Sequence, residues 1–251
     1  MRMGFMAGCS LSAYCPEYVG KTVTYLKSFY PDLSVIQQCC GKPLYYIGEQ
    51  KKFEKKFNAL VDTIEDCEVD EMIMACQGCL SMIRKTDRVK SVSLWTTLDQ
   101  IGLPKEAIGK AASSDMVFTI QDSCPTRHET DIHQAVIHIL RELGYTVKLA
   151  KSSGEKTLCC GLGGMCGVTN PKLAKKAMTH RVNSLPTKNI VTYCASCRSA
   201  MMNGGGQSWH LLDLIWGPVI MQGDHCPENV LNSTYTSWKN RYRTKRILEH
   251  A

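Results

Sequence analysis

Ten of the fourteen cysteines in this 251-residue chain form a five-cysteine pattern that occurs twice. Each copy consists of a single cysteine, then a Cys-Cys-Gly tripeptide, then a Cys-x-x-Cys. The first copy comprises Cys9, Cys39, Cys40, Cys76 and Cys79, and the second comprises Cys124, Cys159, Cys160, Cys194 and Cys197. The three parts recur at offsets of 115, 120 and 118 residues. Such near-constant spacing indicates an internal duplication.

Short apolar segments alternate with amphipathic ones in both copies, which predicts strands alternating with helices. The predicted strands are 3–7, 33–36, 71–75, 116–120, 146–150 and 189–193. Strands separated by helices of this length pair in parallel through helical crossovers. We therefore expect an α/β fold with two pseudo-symmetric, Rossmann-like halves, each a small, mainly parallel sheet flanked by helices. Ligands of such sheets lie at the carboxyl ends of the strands, where the repeated cysteines fall.

The duplication predicts a first half at 1–112, a second half at 113–225 and a C-terminal tail at 226–251. The formal net charge is +7, but the basic residues are scattered, so we expect no nucleic-acid partner. Only the tail is locally basic, which we interpret as a solvated helix face or a partner contact. Its basic residues are Lys239, Arg241, Arg243, Lys245 and Arg246. An apolar region just before the tail fits either core packing or a partner contact, and it contains Trp209, Leu211, Leu212, Ile215 and Trp216.

The role of the cysteines depends on whether the protein is in a reducing or an oxidising compartment. No apolar run reaches the roughly 18 to 20 residues that cross a bilayer, and the first eight residues are too short for a secretory signal. We expect a cytoplasmic protein without a membrane span. In a reducing compartment, clustered cysteines more often bind metal or carry out redox chemistry than form structural disulfides.

Five thiols per copy restrict the kind of site. Adjacent cysteines are poor disulfide partners, since their Cα atoms lie about 3.8 Å apart. Five sulfur ligands are one more than tetrahedral zinc or an ordinary cubane cluster uses. Buried free cysteine does not explain ten residues in matched register, and a thioredoxin-type dithiol has no separate Cys-Cys partner. Iron-sulfur clusters are the favoured interpretation, and zinc in one half stays open as the alternative.

Some residues lie outside this pattern. Cys15, Cys67, Cys166 and Cys226 have no counterpart in the other copy, and we expect them to pack in the core, although Cys15 and Cys166 are close enough to the motifs to line a pocket. His210 and His225 have no second ligand at a metal-site spacing, so we interpret them as surface or core histidines. The glycine-rich loop at 161–167 lacks the G-x-G-x-x-G register of a dinucleotide site. Its glycines instead predict a loop that closely surrounds a bulky cluster.

The spacing Cys-x(n)-Cys-Cys-Gly-x(n)-Cys-x-x-Cys, present twice, resembles the cysteine-rich CCG domain. A chain with two copies resembles the CCG-containing subunit of heterodisulfide reductase and the related iron-sulfur subunits of lactate, glycolate and glycerol-3-phosphate oxidising systems. The resemblance implies that each set of five cysteines binds one noncubane [4Fe-4S] cluster. The gaps between Cys9 and Cys39 and between Cys160 and Cys194 are slightly short for the family, which we interpret as loop trimming.

The resemblance also implies a function. The main hypothesis is an oxidoreductase subunit that reduces a disulfide held at its two clusters, so a disulfide or thiol small molecule is expected there. The first alternative is an electron relay for a flavin-linked 2-hydroxy-acid oxidoreductase, and the second is a zinc-stabilised interaction module. The chain has neither a ferredoxin-type Cys-x2-Cys-x2-Cys-x3-Cys run nor a flavin signature. We therefore expect a ferredoxin-type iron-sulfur subunit and a flavoprotein as partners.

Overall fold

The computed structural model describes residues 1–250 and divides into two compact units. One unit is Met1–Thr97 together with the segment that begins at Val230, and the other is Leu98–Asn229. This grouping differs from the predicted boundaries after 112 and 225. Residues 98–112 group with the second unit, where the Ala111 N–H donates to the Leu143 carbonyl at 2.8 Å. The C-terminal segment groups with the first unit because Thr244 donates to the Ser12 carbonyl at 2.7 Å.

Each unit contains one four-stranded, all-parallel sheet. The first sheet has the order β2-β1-β3-β4 and the second the order β6-β5-β7-β8. The strands are β1 (Met3–Met6), β2 (Ser34–Val35), β3 (Glu71–Met74), β4 (Ser91–Ser93), β5 (Val117–Gln121), β6 (Thr146–Val147), β7 (Asn189–Thr192) and β8 (Gln207–His210). The same strand order in both units confirms the α/β fold with two similar halves.

Helices connect and cover the strands. They are α1 (Cys9–Tyr14), α2 (Pro16–Lys27), α3 (Lys42–Tyr46), α4 (Gln50–Asp66), α5 (Gln77–Ile83), α6 (Leu94–Ile101), α7 (Thr130–Leu143), α8 (Cys166–Thr169), α9 (Pro171–Asn183), α10 (Ala195–Asn203), α11 (Leu211–Trp216) and α12 (Thr234–Leu248). Short 3₁₀ turns occur at 124–126, 154–156, 163–165 and 230–232. None of the helices within residues 1–250 combines the length and apolar character that a membrane crossing needs.

Local sequence signals explain where the helices begin and end. Helix α9 begins with Pro171, and the side chain of Asn170 caps it by accepting from the Leu173 N–H at 3.1 Å. Helix α7 ends at Leu143, and the next residue, Gly144, has a left-handed φ of +95° that closes the last turn. Its face of apolar residues is fully buried. The predicted helices around the cysteine motifs are therefore confirmed.

The central strands are covered on both faces. All four residues of β1 are buried, as are the last three of β3 and of β7. Helices on both sides of a parallel sheet cause this two-sided burial. The apolar region before the C-terminal segment belongs to the core of the second unit, since Trp209, Leu211 and Leu212 are all fully buried. Of the two interpretations of that region, core packing is the one that the structure supports.

Candidate metal centres

Both sets of cysteines lie where the parallel strands end. In the first unit, Cys9 is the first residue of α1, just after β1, and Cys76 directly precedes α5, just after β3. In the second unit, Cys124 follows β5, and Cys194 caps α10 just after β7. A strand that ends before a helix presents its next side chains at the carboxyl edge of the sheet.

The five thiols of the first unit are linked by hydrogen bonds and electrostatic contacts. Cys79 Sγ lies 3.2 Å from Cys40 Sγ, and Cys76 hydrogen-bonds to Cys79. Cys9 donates to Cys39, which lowers the pKa of the Cys39 thiol to about 6 and raises that of Cys9. The charge of Cys76 also acts on Cys9, so the structure brings all five predicted residues of the first set together.

The second unit repeats this arrangement. Cys124 donates to Cys159, and this bond lowers the pKa of the Cys159 thiol to about 2 and raises that of Cys124. Cys160 hydrogen-bonds to Cys159 and Cys197, and Cys194 hydrogen-bonds to Cys197, so the pKa of Cys194 falls to about 6. In both units, the second cysteine of the Cys-Cys-Gly tripeptide and the second cysteine of the Cys-x-x-Cys are buried. These residues are Cys40, Cys79, Cys160 and Cys197. The other six cysteine residues are half-buried or exposed, so the four buried cysteines form the floor of the two sites.

The backbone conformation explains why each Cys-Cys tripeptide ends in glycine. Gly41 and Gly161 have left-handed φ angles of +71° and +96°. Residues other than glycine rarely adopt such angles. The Gly161 N–H points back to Cys159 Sγ at 3.4 Å, and the Gly41 N–H makes the corresponding bond to Cys39. These N–H groups favour the thiolate form that binds metal.

Two further glycines lie close to the sulfurs. A Cβ added at Gly8 would lie 2.6 Å from the Cys76 Cβ, and one at Gly163 would lie 3.1 Å from Cys159 Sγ. Side chains at these positions would occupy space beside the thiols. The close approach of backbone to sulfur, together with five thiols per site, fits a cluster of iron and sulfide, whose ligands are thiolates.

The surroundings of the two sites differ, and no motif in the sequence indicates this difference. Before Cys124 stand Gln121 and Asp122, where the first unit has Met6 and Ala7. The fully buried Arg181 donates from Nε to Gln121 Oε1 at 2.5 Å. Burial raises the pKa of the Asp122 carboxyl. The first site is therefore backed by apolar residues and the second by a buried polar network.

Cations lie beside the first site instead. Arg241 on α12 donates from Nε to the Cys9 carbonyl at 3.1 Å. The charges of Lys56 and Arg241 contribute to the lowered pKa of Cys39, after the stronger effects of its hydrogen bonds from Cys9 and Gly41. The basic segment at the end of the chain is thus one wall of the first thiol site.

Four cysteines and two histidines belong to neither five-cysteine set. Cys15 is buried, whereas Cys67, Cys166 and Cys226 are half-buried, so only Cys15 is packed as fully as we expect for a core residue. His210 is a core histidine that caps α11, with Nδ1 accepting from the Leu212 N–H at 3.2 Å. His225 lies at the surface and contacts Gln207 at 3.4 Å.

Comparisons with known proteins agree with this geometry. The family model of the cysteine-rich domain (CCG) matches twice, at residues 3–84 and 118–202. A curated relative, the glycolate oxidase iron-sulfur subunit of Escherichia coli, is 23% identical over 230 residues. That alignment covers 82% of this chain and 55% of the relative, so the chain spans about half the length of the curated relative that it matches.

Solved structures with some likeness include two racemase-type proteins. An aspartate racemase from Picrophilus torridus aligns with 86% of this chain and 91% of its own at 9% identity and a TM-score of 0.38. An aspartate racemase homologue from Pyrococcus horikoshii aligns with 99% of this chain and 97% of its own at 13% identity and a TM-score of 0.34. TM-scores this low indicate neither a shared fold nor a shared activity.

Proposed function

The chain belongs to the cysteine-rich domain (CCG) family, with two copies of the domain, and we propose that it is an electron-relaying iron-sulfur subunit of a flavin-linked 2-hydroxy-acid oxidoreductase. The main observation behind this proposal is that five thiols lie together at the strand ends of each unit. The alignment with the glycolate oxidase subunit extends over most of this chain and supports the same class of redox complex.

We assign one cluster to each set of cysteines. Cys9, Cys39, Cys40, Cys76 and Cys79 would hold the first, and Cys124, Cys159, Cys160, Cys194 and Cys197 the second. An iron-sulfur cluster supplies one-electron transfer at a potential set by its thiolates and their hydrogen bonds. The residues of this chain provide those thiolates, the backbone N–H donors of Gly41 and Gly161, and a buried floor that keeps water from part of each site. The noncubane [4Fe-4S] type is part of the proposal, because each set contains five thiols.

The relay function has better support than the disulfide-reducing hypothesis of the sequence analysis. The relative is a glycolate oxidase iron-sulfur subunit, and this favours the relay. We therefore propose glycolate or lactate as the class of compound that the complex oxidises, at a flavin in another subunit. A flavoprotein and a ferredoxin-type iron-sulfur module are the proposed partners, and a cytoplasmic location stays a prediction.

Metal analysis tests the proposal directly. Protein purified without oxygen should contain about eight irons and about eight acid-labile sulfides per chain, as expected for two four-iron clusters. Chemical reduction should produce an EPR signal, and added organic disulfides or thiols should leave that signal unchanged. Stoichiometric zinc without sulfide would instead support the interaction module. A signal that shifts on adding a disulfide would support the disulfide-reducing hypothesis.

A further inference from the structure

A cavity of about 440 Å³ lies within the first unit, between α12 and the first thiol site. Cys9 and Cys39 line one part of it, and Trp238, Arg241 and Tyr242 line another. Pockets for small molecules commonly have volumes of roughly 300 to 1,000 Å³. Five of the lining residues belong to α12, namely Trp238, Arg241, Tyr242, Lys245 and Leu248.

The wall that α12 contributes is aromatic and basic. Trp238 and Tyr242 are each 64% exposed, so part of each residue is accessible to a molecule in the cavity. The Arg241 guanidinium lies 5.1 Å from the centre of the Trp238 ring. Lys245 adds a second cation, and no acidic side chain lines the cavity.

Helix α12 is firmly attached, so the wall is built before any ligand arrives. Asn240 donates to the Ala13 carbonyl at 2.8 Å, and Thr244 donates to the Ser12 carbonyl at 2.7 Å. Arg243 forms an ion pair with Glu17 at 2.6 Å. A preformed wall binds more tightly than one that has to be ordered, because less conformational entropy is lost.

We propose that this cavity binds a planar aromatic molecule that carries an anionic group. The ring would stack on Trp238 and Tyr242, and the anion would meet the terminal nitrogens of Arg241. Within residues 1–250 no carboxylate forms an ion pair with Arg241, whose hydrogen bond to the Cys9 carbonyl uses only Nε. A guanidinium has five N–H donors, so several remain to bind an anion.

The position suggests a role for the ligand. A molecule in this cavity lies against Cys9 and Cys39, at the accessible side of the first thiol site. It is therefore placed to exchange electrons with that site, a role that rests on the proposed function. The binding itself depends only on the cavity and on α12.

Isothermal titration calorimetry of the intact, cluster-loaded chain under anaerobic conditions tests the site. The probe is oxidised anthraquinone-2-sulfonate, a planar anion, and the comparison is oxidised methyl viologen, an aromatic dication. We expect the sulfonate to bind and the viologen not to bind. Trp238→Ala should raise the sulfonate Kd about tenfold, the size of effect that loss of one stacking ring produces, and Arg241→Gln should raise it by a similar factor.

Tyr235→Ala is the matched control. Tyr235 is an exposed aromatic residue of the same helix, but it does not line the cavity, so its loss should leave the Kd unchanged. Equal binding of both probes, or an unchanged Kd in Trp238→Ala, would overturn the proposal. Iron and sulfide analysis of the same samples separates the two claims. Clusters without probe binding contradict only the cavity, and probe binding to a chain without sulfide contradicts only the electron relay.

Discussion

The sulfur atoms of Cys40 and Cys79 lie 3.2 Å apart in the buried floor of the first thiol site. The corresponding pair in the second unit, Cys160 and Cys197, is also hydrogen-bonded and buried. In each unit the second cysteine of the tripeptide thus meets the second cysteine of the Cys-x-x-Cys. The duplication thus extends to the way the thiols pair within each unit.

We predict that substitution of one floor cysteine removes one cluster. Cys40→Ser should lower the iron content from about eight to about four per chain, because the first site loses a thiolate ligand and the second keeps all five. Cys160→Ser should give the same count by loss of the other cluster. Cys67→Ser is the control, since Cys67 belongs to neither set, and its iron content should equal that of the wild type. If Cys40→Ser removed all iron, the two sets would have to share ligands.

We predict that Gly8→Ala disrupts the first site by steric contact. The added Cβ would lie 2.6 Å from the Cys76 Cβ, in a residue whose φ is +80°. Cys76 would have to move, and about half of the iron should be lost, as measured by iron analysis and by the visible absorption of the clusters.

Gly48→Ala separates steric contact from backbone strain. Gly48 has nearly the same φ, +79°, but an added Cβ would meet no atom within 4 Å. This variant should lose about 1 kcal/mol of stability, the usual cost of a left-handed residue with a side chain, and keep its iron. An equal loss of iron in both variants would mean that strain alone, without contact at Cys76, disrupts the site.

The positions of the thiol sites could be predicted because the cysteines follow apolar strands at a parallel-sheet edge. Edge strands β4 and β8 were not predicted, since Ser91–Ser93 and Gln207–His210 are short and largely polar. Their pairing depends on β3 and β7, which no local pattern reveals. A charged residue such as Arg181 is typical of a solvated helix face, and only its tertiary bonds to Gln121 and Ser152 explain its burial.

The aromatic and basic wall of the cavity could not be located from the sequence either. The sequence shows basic residues at helical spacing near the C-terminus, and this pattern is typical of a solvated face. The contact that gives the helix its place is between Thr244 and Ser12, which are 232 residues apart. Long-range hydrogen bonds of this kind leave no periodic signal in the chain.

We predict that Arg181→Met destabilises the second unit. Arg181 donates to Gln121 at 2.5 Å and to both the side chain and the carbonyl of Ser152 at 2.5 and 3.0 Å. Methionine fills much of the volume but leaves the buried Gln121 oxygen without this donor. We expect the free energy of unfolding to fall by about 3 kcal/mol, as for other buried charged hydrogen bonds, measured by urea denaturation.

Arg88→Met is the control for loss of an arginine. Arg88 pairs with Asp62 and Glu65 at the surface, where such pairs contribute little. Its loss should change the urea midpoint much less than the loss of Arg181. Equal effects of the two substitutions would show that the buried network does not stabilise the second unit.

We predict that His210 makes stability fall with acidification. Burial, and then the Arg198 charge, lowers the pKa of His210 to about 3 in the folded chain, against about 6.5 when unfolded. The unfolded chain therefore binds the extra proton, and stability present above pH 6.5 is lost as the pH falls towards 3. His210→Asn keeps an acceptor for the Leu212 N–H but cannot ionise. Between pH 7 and 5, the wild type should lose about 2 kcal/mol more of its unfolding free energy than this variant, as followed by urea denaturation. Parallel pH profiles would mean that His210 is able to take up a proton in the folded state.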